Sequence, residues 1–355
     1  MKSLPVIAEA VVDWQRVHGR HGLPWHGSRD PYRVWLSEIM LQQTQVATVL
    51  AYYQRFLEHF PDVGALAAAS QDQVLALWSG LGYYSRARNL HRCAIAVVEQ
   101  HGGRFPGSAE QLAQLPGIGR STAAAIAAFC FNQRVAILDG NVKRVLARVL
   151  AFGADLASAR EERRLWALAT QLLPEREADM AAYTQGLMDL GATVCLARAP
   201  VCTVCPLQGT CAAQRRSTVQ DYPVKSRRTR RTKRENWWLW LQWRGQVWLQ
   251  QRPQTGVWAG LWTVPLLSDE EALHQALGRL GVAGTELPVI EHALTHFDWT
   301  LRPWLARFSK RPPEAAMAAL GAGRWVALRD LDSVALPAPL GKLLRSAATA
   351  VAVPA

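Results

Sequence analysis

The sequence Leu115-Pro116-Gly117-Ile118-Gly119-Arg120-Ser121-Thr122, followed by an alanine-rich run, decides the fold of the first half of this chain. Proline and two glycines predict a tight turn between two helices, with Ser121 or Thr122 as the cap of the second helix. Uncovered backbone N–H groups of glycines at a helix start bind a phosphate. We therefore interpret 111–130 as a helix-hairpin-helix with Gly117 and Gly119 at the phosphate; a plain turn between helices is the alternative.

The stretch Leu138-Asp139-Gly140-Asn141 follows closely and places an acid at the mouth of another helix. A nucleic acid held on the hairpin by one phosphate would lie beside Asp139. On the sequence alone, Asp139 is either a site residue or simply a helix cap.

A second acid, Glu38, lies in a predicted helix that begins at Pro31. Val34 and Leu41 are about one turn away on either side, so the face that carries Glu38 is apolar. Burial penalises the charged form of a carboxyl group, and a carboxylic acid that stays protonated near neutral pH can donate a proton. The alternative is a glutamate that interacts with the helix dipole.

Two further stretches favour nucleic-acid contact. Leu41–Gln45 is rich in amide side chains, which can donate to and accept from base edges, although a solvated helix end looks similar. Trp78–Asn89 carries an apolar tip between glycines, two tyrosines, and Arg86 and Arg88. Such a tip can wedge into a base stack while arginines hold phosphates, or it can be a turn with core tyrosines.

Length and charge agree with this interpretation. A chain of 355 residues predicts two domains, and a net charge of +12 favours a polyanionic partner, nucleic acid before an acidic membrane surface. The chain has no apolar run of membrane-spanning length, and its N-terminus does not resemble a secretion signal. We therefore expect a cytoplasmic protein.

Four of the six cysteines are close together, with the spacing Cys195-x6-Cys202-x2-Cys205-x5-Cys211. Four thiolates so close in sequence can all reach one centre. The spacing matches neither paired zinc-finger motifs nor the common ferredoxin patterns. From chemistry alone the site is an iron–sulfur cluster or zinc, with free thiols as a third alternative.

Residues Lys225–Arg234 carry seven Lys or Arg in ten positions and predict a solvated linker that also has the charge to contact phosphates. Beyond it the pattern is rich in strands and holds ten of the fifteen tryptophans, which we expect in a core. We place the domains at 1–220, a linker at 221–235, a second domain at 236–345 and a poorly ordered tail at 346–355.

Together these residues resemble the MutY family of adenine DNA glycosylases, within the helix-hairpin-helix superfamily that also contains endonuclease III. The resemblance covers nearly the whole chain and rests on six motifs in order: Ser37–Gln45, Gly80–Asn89, Leu115–Thr122, Leu138–Arg144, Met188–Ala192 and the four cysteines. It implies an all-α helix-hairpin-helix glycosylase domain followed by an α+β Nudix-like domain. It also implies a [4Fe–4S] cluster on Cys195, Cys202, Cys205 and Cys211.

The resemblance implies a monofunctional enzyme of base excision repair that removes adenine opposite 8-oxoguanine or guanine in duplex DNA. Glu38 would protonate the flipped adenine, Asp139 would stabilise the positive charge at the sugar, and Asn141 and Ser121 would position the reacting groups. Bifunctional lyases carry a lysine at the position of Ser121, and a serine cannot form their Schiff base.

Further site residues follow from the same resemblance. Leu23, Trp25 and Gln185 would line the adenine pocket, whereas Gln43, Thr44, Leu81 and Tyr83 would contact the oxidised guanine and the gap in the stack. Thr295 and His296 belong to the loop that inspects 8-oxoguanine, where Leu294 replaces a usual phenylalanine. The second domain lacks the glutamate-rich helix of a Nudix hydrolase, so we expect a binding module.

The resemblance further implies a monomer that associates with the bacterial nucleoid, and it leaves room for other repair proteins as partners. Three alternatives remain: a different monofunctional glycosylase that removes thymine or uracil, a DNA-binding iron–sulfur protein without catalysis, and a redox sensor built on the cluster.

Overall fold

The computed structural model describes residues 4–226 and 231–351, and the side chains from 6 to 226 and from 231 to 346. The chain forms two units. One is built from the chain up to Ala67 and from Arg92 to the gap, and the other from Ala68–His91 and the chain after the gap. The gap at 227–230 falls within the predicted basic linker, so that part of the prediction lies outside the described residues.

The chain before the gap is helical, which confirms the all-α expectation for the first unit. Its α-helices are, in chain order, α1 Leu4–His18, α2 Pro31–Leu41, α3 Val46–His59, α4 Val63–Ala68, α5 Gln71–Leu77, α6 Ser85–His101, α7 Ala109–Leu112, α8 Arg120–Phe131, α9 Gly140–Val149, α10 Ala159–Gln171, α11 Met180–Asp189 and α12 Ala212–Arg215. Helix α11 continues into a π-helical turn, Leu190–Val194, which leads into the cysteine loop.

Helix α2 begins where the sequence predicts. Asp30 caps it, because its side chain accepts a hydrogen bond of 2.9 Å from the Tyr32 backbone N–H, and Pro31 occupies the first turn. The helix buries most of its length, including Trp35 and Leu36. This burial fixes the direction in which Glu38 projects.

The hairpin between α7 and α8 confirms the predicted helix-hairpin-helix. Gly117 adopts a left-handed conformation with φ of 76°, which a side chain would strain. The expected serine or threonine cap is wrong: Gly119 is the N-cap of α8, and Ser121 lies within the first turn. The hydroxyl of Ser121 is engaged elsewhere, since it accepts a 3.1 Å hydrogen bond from the backbone N–H of Leu138. The residues Ala123–Ala128 are all buried and allow α8 to pack closely on its neighbours.

The second unit contains a mixed sheet, as the Nudix-like expectation requires. Its central strands are the longest, and they pair in parallel over twelve positions from Thr232 opposite Phe297 to Trp243 opposite Phe308. The order of the main path is β3-β2-β1-β7-β5, with β4 on β1, β6 on β7 and β8 on β2. The strands are β1 Thr232–Trp243, β2 Gln246–Gln251, β3 Trp262–Thr263, β4 Leu266–Leu267, β5 Gly284–Glu286, β6 Ile290–Ala293, β7 Phe297–Phe308 and β8 Arg324–Ala327.

Helices α13 Glu270–Leu280, α14 Glu314–Ala319 and α15 Ala338–Val351 complete this unit. Leu239 and Leu241 of β1 pack against α13, and Trp238 and Trp240 are buried as well, as we expect for core tryptophans. Helix α15 continues to Val351, so the predicted tail from Ser346 begins as helix. Residues 352–355 of that tail lie outside the described part.

The segment Ala68–His91 differs from the predicted domain division, which assigned it to the helical domain. The hydroxyls of Ser79 and Tyr84 both donate to the Leu336 carbonyl at 3.0 Å. The Arg88 guanidinium donates to the Ala259 carbonyl at 2.8 Å. These hydrogen bonds attach the segment to the second unit. Among the described helices, none has the length and apolarity needed to cross a membrane.

We expect Gly186→Ala to destabilise the helical unit. A Cβ at this position of α11 would lie 2.7 Å from Val11 Cγ1 and 3.0 Å from the Val11 carbonyl oxygen of α1. Such overpacking costs about 1–3 kcal/mol. Urea unfolding measures the loss. The control is Gly278→Ala in α13, where a Cβ meets nothing within 4 Å and helix propensity favours alanine. Equal effects of the two changes would contradict this packing argument.

Candidate active site

A cavity of about 1010 Å³ opens in the helical unit. Its walls come from α1, α2, α8, α11 and the connections that follow α1 and precede α9. Eight of the residues predicted from the sequence line this one cavity: Leu23, Trp25, Glu38, Thr44, Ser121, Asp139, Asn141 and Gln185. The structure thus brings together residues that are up to 162 positions apart (185 minus 23).

Glu38 is half-buried in the wall of this cavity, between Val34 and Leu41 on the apolar face of α2. Burial, and then the negative charge of Asp139, raise the pKa of Glu38 to about 8. At pH 7 most of the carboxyl groups therefore keep their proton. A protonated acid that faces a cavity can donate that proton to a bound base.

Asp139 is the N-cap of α9, so the two interpretations of this residue are compatible. Its Oδ1 accepts a 2.7 Å hydrogen bond from the Val142 backbone N–H. Burial raises the pKa of Asp139, whereas the backbone N–H groups of the first turn and the charges of Arg144 and Lys143 act in the opposite direction. Asp139 lies in the same cavity as Glu38, but the backbone N–H groups and positive charges around it favour its ionised form.

Arg144 holds the side chain of Asn141 in place. Its Oδ1 accepts a 2.9 Å hydrogen bond from Arg144, whose guanidinium also donates to the backbone carbonyls of Gly191 and Cys195. A Cβ at Gly191 would lie only 2.5 Å from the Cβ of Asn141. Glycine is therefore required where the π-helical turn crosses α9.

The part of the cavity that Trp25 and Gln185 line is aromatic at one end and polar at the other. Trp25 is 7% exposed and meets Tyr53 edge to face, with ring centroids 5.2 Å apart. At the polar end, the Gln185 amide donates a 2.9 Å hydrogen bond to Oδ1 of Asp189. This arrangement can hold a flat heterocycle against an indole ring while polar groups address its edge.

Sequence reasoning missed three residues at that polar end. Arg20 and His26 line the cavity, and Asp189 lies behind it with no exposed surface. Burial lowers the pKa of His26, so its imidazole is neutral at pH 7. Asp189 stands in a motif that carries the family resemblance. No periodicity, however, shows that this acid turns inward to meet a loop near residue 20.

Several predicted DNA contacts lie outside the cavity. Gln43 is exposed with a left-handed φ of 58°, directly after α2, and Gly117 and Gly119 are exposed at the hairpin. Thr295 and His296 are exposed in the turn between β6 and β7. All five are open to a ligand.

The loop before α6 differs from the expectation in two respects. The exposed side chain at its apex is Tyr83, at 47%, whereas Leu81 is only 5% exposed. The expected phosphate contact of Arg86 does not fit its position. Arg86 is buried, donates to the carbonyls of Leu81 and Gly82 at 3.2 Å, and lies over the Trp78 ring. It holds the loop in shape from within.

The four predicted metal ligands also come together. Cys195, Cys202, Cys205 and Cys211 line one small apolar cavity in the helical unit. Buried Arg148 supports this loop: its guanidinium donates to the Leu196 carbonyl at 2.6 Å and approaches the Cys195 sulfur at 3.3 Å.

The chemistry of these four side chains bears on the kind of group that they can hold. Within 4–226 and 231–351, no three His, Cys, Asp or Glu side chains are grouped closely enough for a single metal ion. A tetrahedral zinc ion draws four sulfurs to about 2.3 Å from one point. The donor chemistry of four thiolates fits an iron–sulfur cluster as well as zinc.

The chain is similar to known DNA repair proteins. The family description "HhH-GPD superfamily base excision DNA repair protein" matches residues 36–171, and the description "NUDIX domain" matches residues 236–346. An adenine DNA glycosylase of Buchnera aphidicola is 33% identical over 96% of this chain and 97% of its own length. The mouse adenine DNA glycosylase is 36% identical over 92% of this chain and 75% of its own. This chain belongs to the adenine DNA glycosylase family.

Solved structures agree with the fold of the helical part of this adenine DNA glycosylase family member. A thermostable thymine-DNA glycosylase is 26% identical, with a TM-score of 0.53 over 61% of this chain and 98% of its own. An endonuclease III in a non-covalent DNA complex has a TM-score of 0.51 at 19% identity over 61% of this chain and 97% of its own, and it supports the fold alone. The chain is thus a base excision repair glycosylase with a helix-hairpin-helix unit and a Nudix-like unit.

We expect Glu38→Gln to stabilise the protein increasingly as the pH rises. The folded-state pKa of Glu38 is about 8 against an ordinary 4.5, so the unfolded chain releases this proton first. Wild-type stability therefore falls between pH 4.5 and 8 through this group, whereas glutamine has no proton to lose. Near pH 4.5 the two proteins should be alike, and at pH 8 the variant should gain at least ~1 kcal/mol in free energy of unfolding.

Urea unfolding at several pH values measures this difference. The control is the same change at the exposed Glu58 of α3. A constant difference between Glu38→Gln and wild type across the range would refute the raised pKa of Glu38.

Proposed function

We propose that this enzyme removes adenine mispaired with 8-oxoguanine or guanine by acid-assisted hydrolysis of the N-glycosidic bond. One observation carries the proposal: an acid that is protonated at neutral pH, Glu38, and a second carboxyl, Asp139, share a single cavity of a size that admits a nucleotide. Adenine glycosylase relatives that align with nearly the whole chain support adenine as the base.

The two acids divide the chemistry between them. The target nucleotide leaves the duplex because its glycosidic bond is unreachable within the stack. The Glu38 carboxyl donates its proton to N7 of adenine, and the bonding electrons leave with the base. The Asp139 carboxylate stabilises the positive charge that develops at the sugar C1′ or forms a covalent bond to it. Water then attacks C1′, displaces Asp139 where that bond has formed, leaves a hydroxyl group on C1′ and gives its other proton to the Glu38 carboxylate.

Asn141 and Ser121 position these groups. Arg144 holds the Asn141 amide in the cavity beside Asp139. The Ser121 hydroxyl fixes the backbone at Leu138, one residue before the acid. Because serine has no amine to attack the sugar, the enzyme leaves an abasic site and does not cut the strand.

The base itself occupies the pocket of Leu23, Trp25 and Gln185. On the DNA side, Gly117 and Gly119 bind a phosphate at the start of α8, which is twelve residues long. Gln43 and Thr44 contact the orphaned guanine. Tyr83, whose side chain is exposed, enters the gap in the stack, next to the buried Leu81 in the same loop.

The Nudix-like unit inspects 8-oxoguanine through Thr295 and His296, which the β6–β7 turn presents to solvent. Leu294 cannot stack on a base as an aromatic ring does, so this contact relies on the hydroxyl and the imidazole. We assign this unit to binding and not to hydrolysis.

We assign Cys195, Cys202, Cys205 and Cys211 to a [4Fe–4S] cluster. When bound, the cluster supplies four iron–thiolate bonds that cross-link the loop, and glycosidic hydrolysis draws no electrons from it. Arg148 orients the loop from the protein side, since it donates to the carbonyls of Leu196 and Ala197. We further propose a monomer that acts in the cytoplasm on the bacterial nucleoid.

Removal of a mispaired thymine is the second candidate function. The likeness to a thymine-DNA glycosylase over the helical part favours it. That relative covers 61% of the chain, whereas the adenine glycosylases align across both units. Adenine is therefore the better-supported base.

We expect an 8-oxoguanine:adenine duplex treated with the purified enzyme to break only after alkali is added. Otherwise identical duplexes with thymine or uracil in place of adenine should stay uncut. Glu38→Gln and Asp139→Asn should each lower the single-turnover rate at least ~100-fold, because each removes a charge-stabilising or proton-donating group. The wild-type rate should fall as the pH rises through about 8, where Glu38 loses its proton.

The control is Glu58→Gln, because Glu58 is exposed and does not line the cavity, and this variant should keep the wild-type rate. Preferential thymine release would favour the second candidate. Undiminished adenine release by both carboxyl variants would refute the proposed mechanism.

We expect about four iron and four sulfide per chain in anaerobically purified protein, because four cysteines hold one cluster. Cys202→Ser should lower this content and the unfolding temperature, whereas Cys93→Ser, a change in a buried cysteine outside the loop, should keep the iron. Zinc at one ion per chain would overturn the assignment.

A further inference from the structure

Asp189 is a fully buried acid at the polar end of the cavity, and the mechanism above does not use it. Its carboxylate accepts a 2.9 Å hydrogen bond from the Arg20 backbone N–H and forms an ion pair with the Arg20 guanidinium at 2.6 Å. One further donor reaches it, the side-chain amide of Gln185 at 2.9 Å. A carboxylate that is buried is costly unless donors of the protein hydrogen-bond to it.

The Gln185 amide cannot turn over while Asp189 is a carboxylate. A carboxylate only accepts hydrogen bonds, so the NH₂ end of the amide must face it, and the reversed orientation would bring two oxygens together. The two residues are four apart on α11, and therefore lie on one face of that helix. Among the described residues, the Gln185 carbonyl oxygen accepts no hydrogen bond, and Gln185 lines the cavity.

We propose that Asp189 sets the base selectivity of the cavity by holding the Gln185 carbonyl oxygen toward the bound base. An acceptor at this position pairs with a base that carries an exocyclic amine, and it repels a base with an oxo group there. Adenine carries the amine, whereas hypoxanthine, guanine, thymine and uracil carry an oxo group at the corresponding position. The inference rests on the proposed function and adds to it the residue that distinguishes adenine from 6-oxopurines.

Asp189 acts here as a positioning residue, because it reaches the base only through Gln185. A polar group that is forced to face the wrong partner gives strong discrimination, since the unpaired or repelled group stays buried. An apolar pocket of the same shape would admit adenine and hypoxanthine almost equally.

The test is Asp189→Asn with three duplexes that carry adenine, hypoxanthine or unsubstituted purine opposite 8-oxoguanine. The asparagine amide can donate to the Gln185 oxygen, which lets the Gln185 amide reverse and present its N–H groups to the base. Single-turnover rates are measured on one preparation of full-length protein and expressed relative to purine, which has hydrogen at position 6. General damage to the protein moves all three rates together and cancels.

We expect the adenine-to-purine ratio to fall about tenfold in Asp189→Asn and the hypoxanthine-to-purine ratio to rise about tenfold, as for the exchange of one buried hydrogen bond. The matched control is Asp179→Asn. Asp179 directly precedes α11 and forms an ion pair with Arg16 of α1 at 2.7 Å. Among the described residues, no hydrogen bond or ion pair joins Asp179 to Gln185. Its ratios should equal those of the wild type.

If Asp189→Asn does not fold, Gln185→Met tests the inference instead. This change removes the acceptor oxygen of Gln185 and should abolish the preference for adenine over hypoxanthine. Unchanged ratios in a folded Asp189→Asn, or in Gln185→Met, would overturn the inference while adenine release by the wild type leaves the proposed function intact. A wild-type enzyme that releases no adenine would overturn both.

Discussion

The helical unit depends on the contact between the first turn of α9 and the π-helical turn after α11, where the two backbones approach too closely for any side chain at Gly191. Arg144 bridges the same contact, from Asn141 on one side to the Gly191 and Cys195 carbonyls on the other. Because Asp139 caps α9, this contact sets where the carboxylate stands in the cavity. The cysteine loop and the acid are thus supported by a single helix.

The cavity also shows a conflict between stability and chemistry. A carboxyl group that is useful as an acid at neutral pH must be kept from water, and its burial destabilises the folded chain. Close packing in the same unit opposes this cost: Ala123–Ala128 of α8 are all buried, and Gly186 of α11 lies against Val11 of α1. The same desolvation strengthens every charge interaction in the cavity, including that between Glu38 and Asp139.

Local chemistry explains what the sequence could predict. The start of α2, the hairpin turn and the buried face of Glu38 depend on residues within one or two turns, and their patterns are visible in order along the chain. The predicted serine or threonine cap of α8 was wrong because the Ser121 hydroxyl hydrogen-bonds to a backbone N–H 17 residues away. Leu81 and Asp189 were not foreseeable for the same reason. Their burial depends on the way distant segments meet, and neither periodicity nor composition records that.

The second unit is discontinuous along the chain, since Ala68–His91 joins strands that begin only after the linker. During synthesis this segment leaves the ribosome more than one hundred residues before its partners, such as Ala259 and Leu336. The tryptophan-rich β1 also begins 65 residues (297 minus 232) before its parallel neighbour β7, so it is synthesised well before its partner strand. Non-local pairing of this kind is slow, and it exposes apolar surface in the meantime. Newly made chains of this protein should therefore depend on chaperones until their C-terminal end is complete.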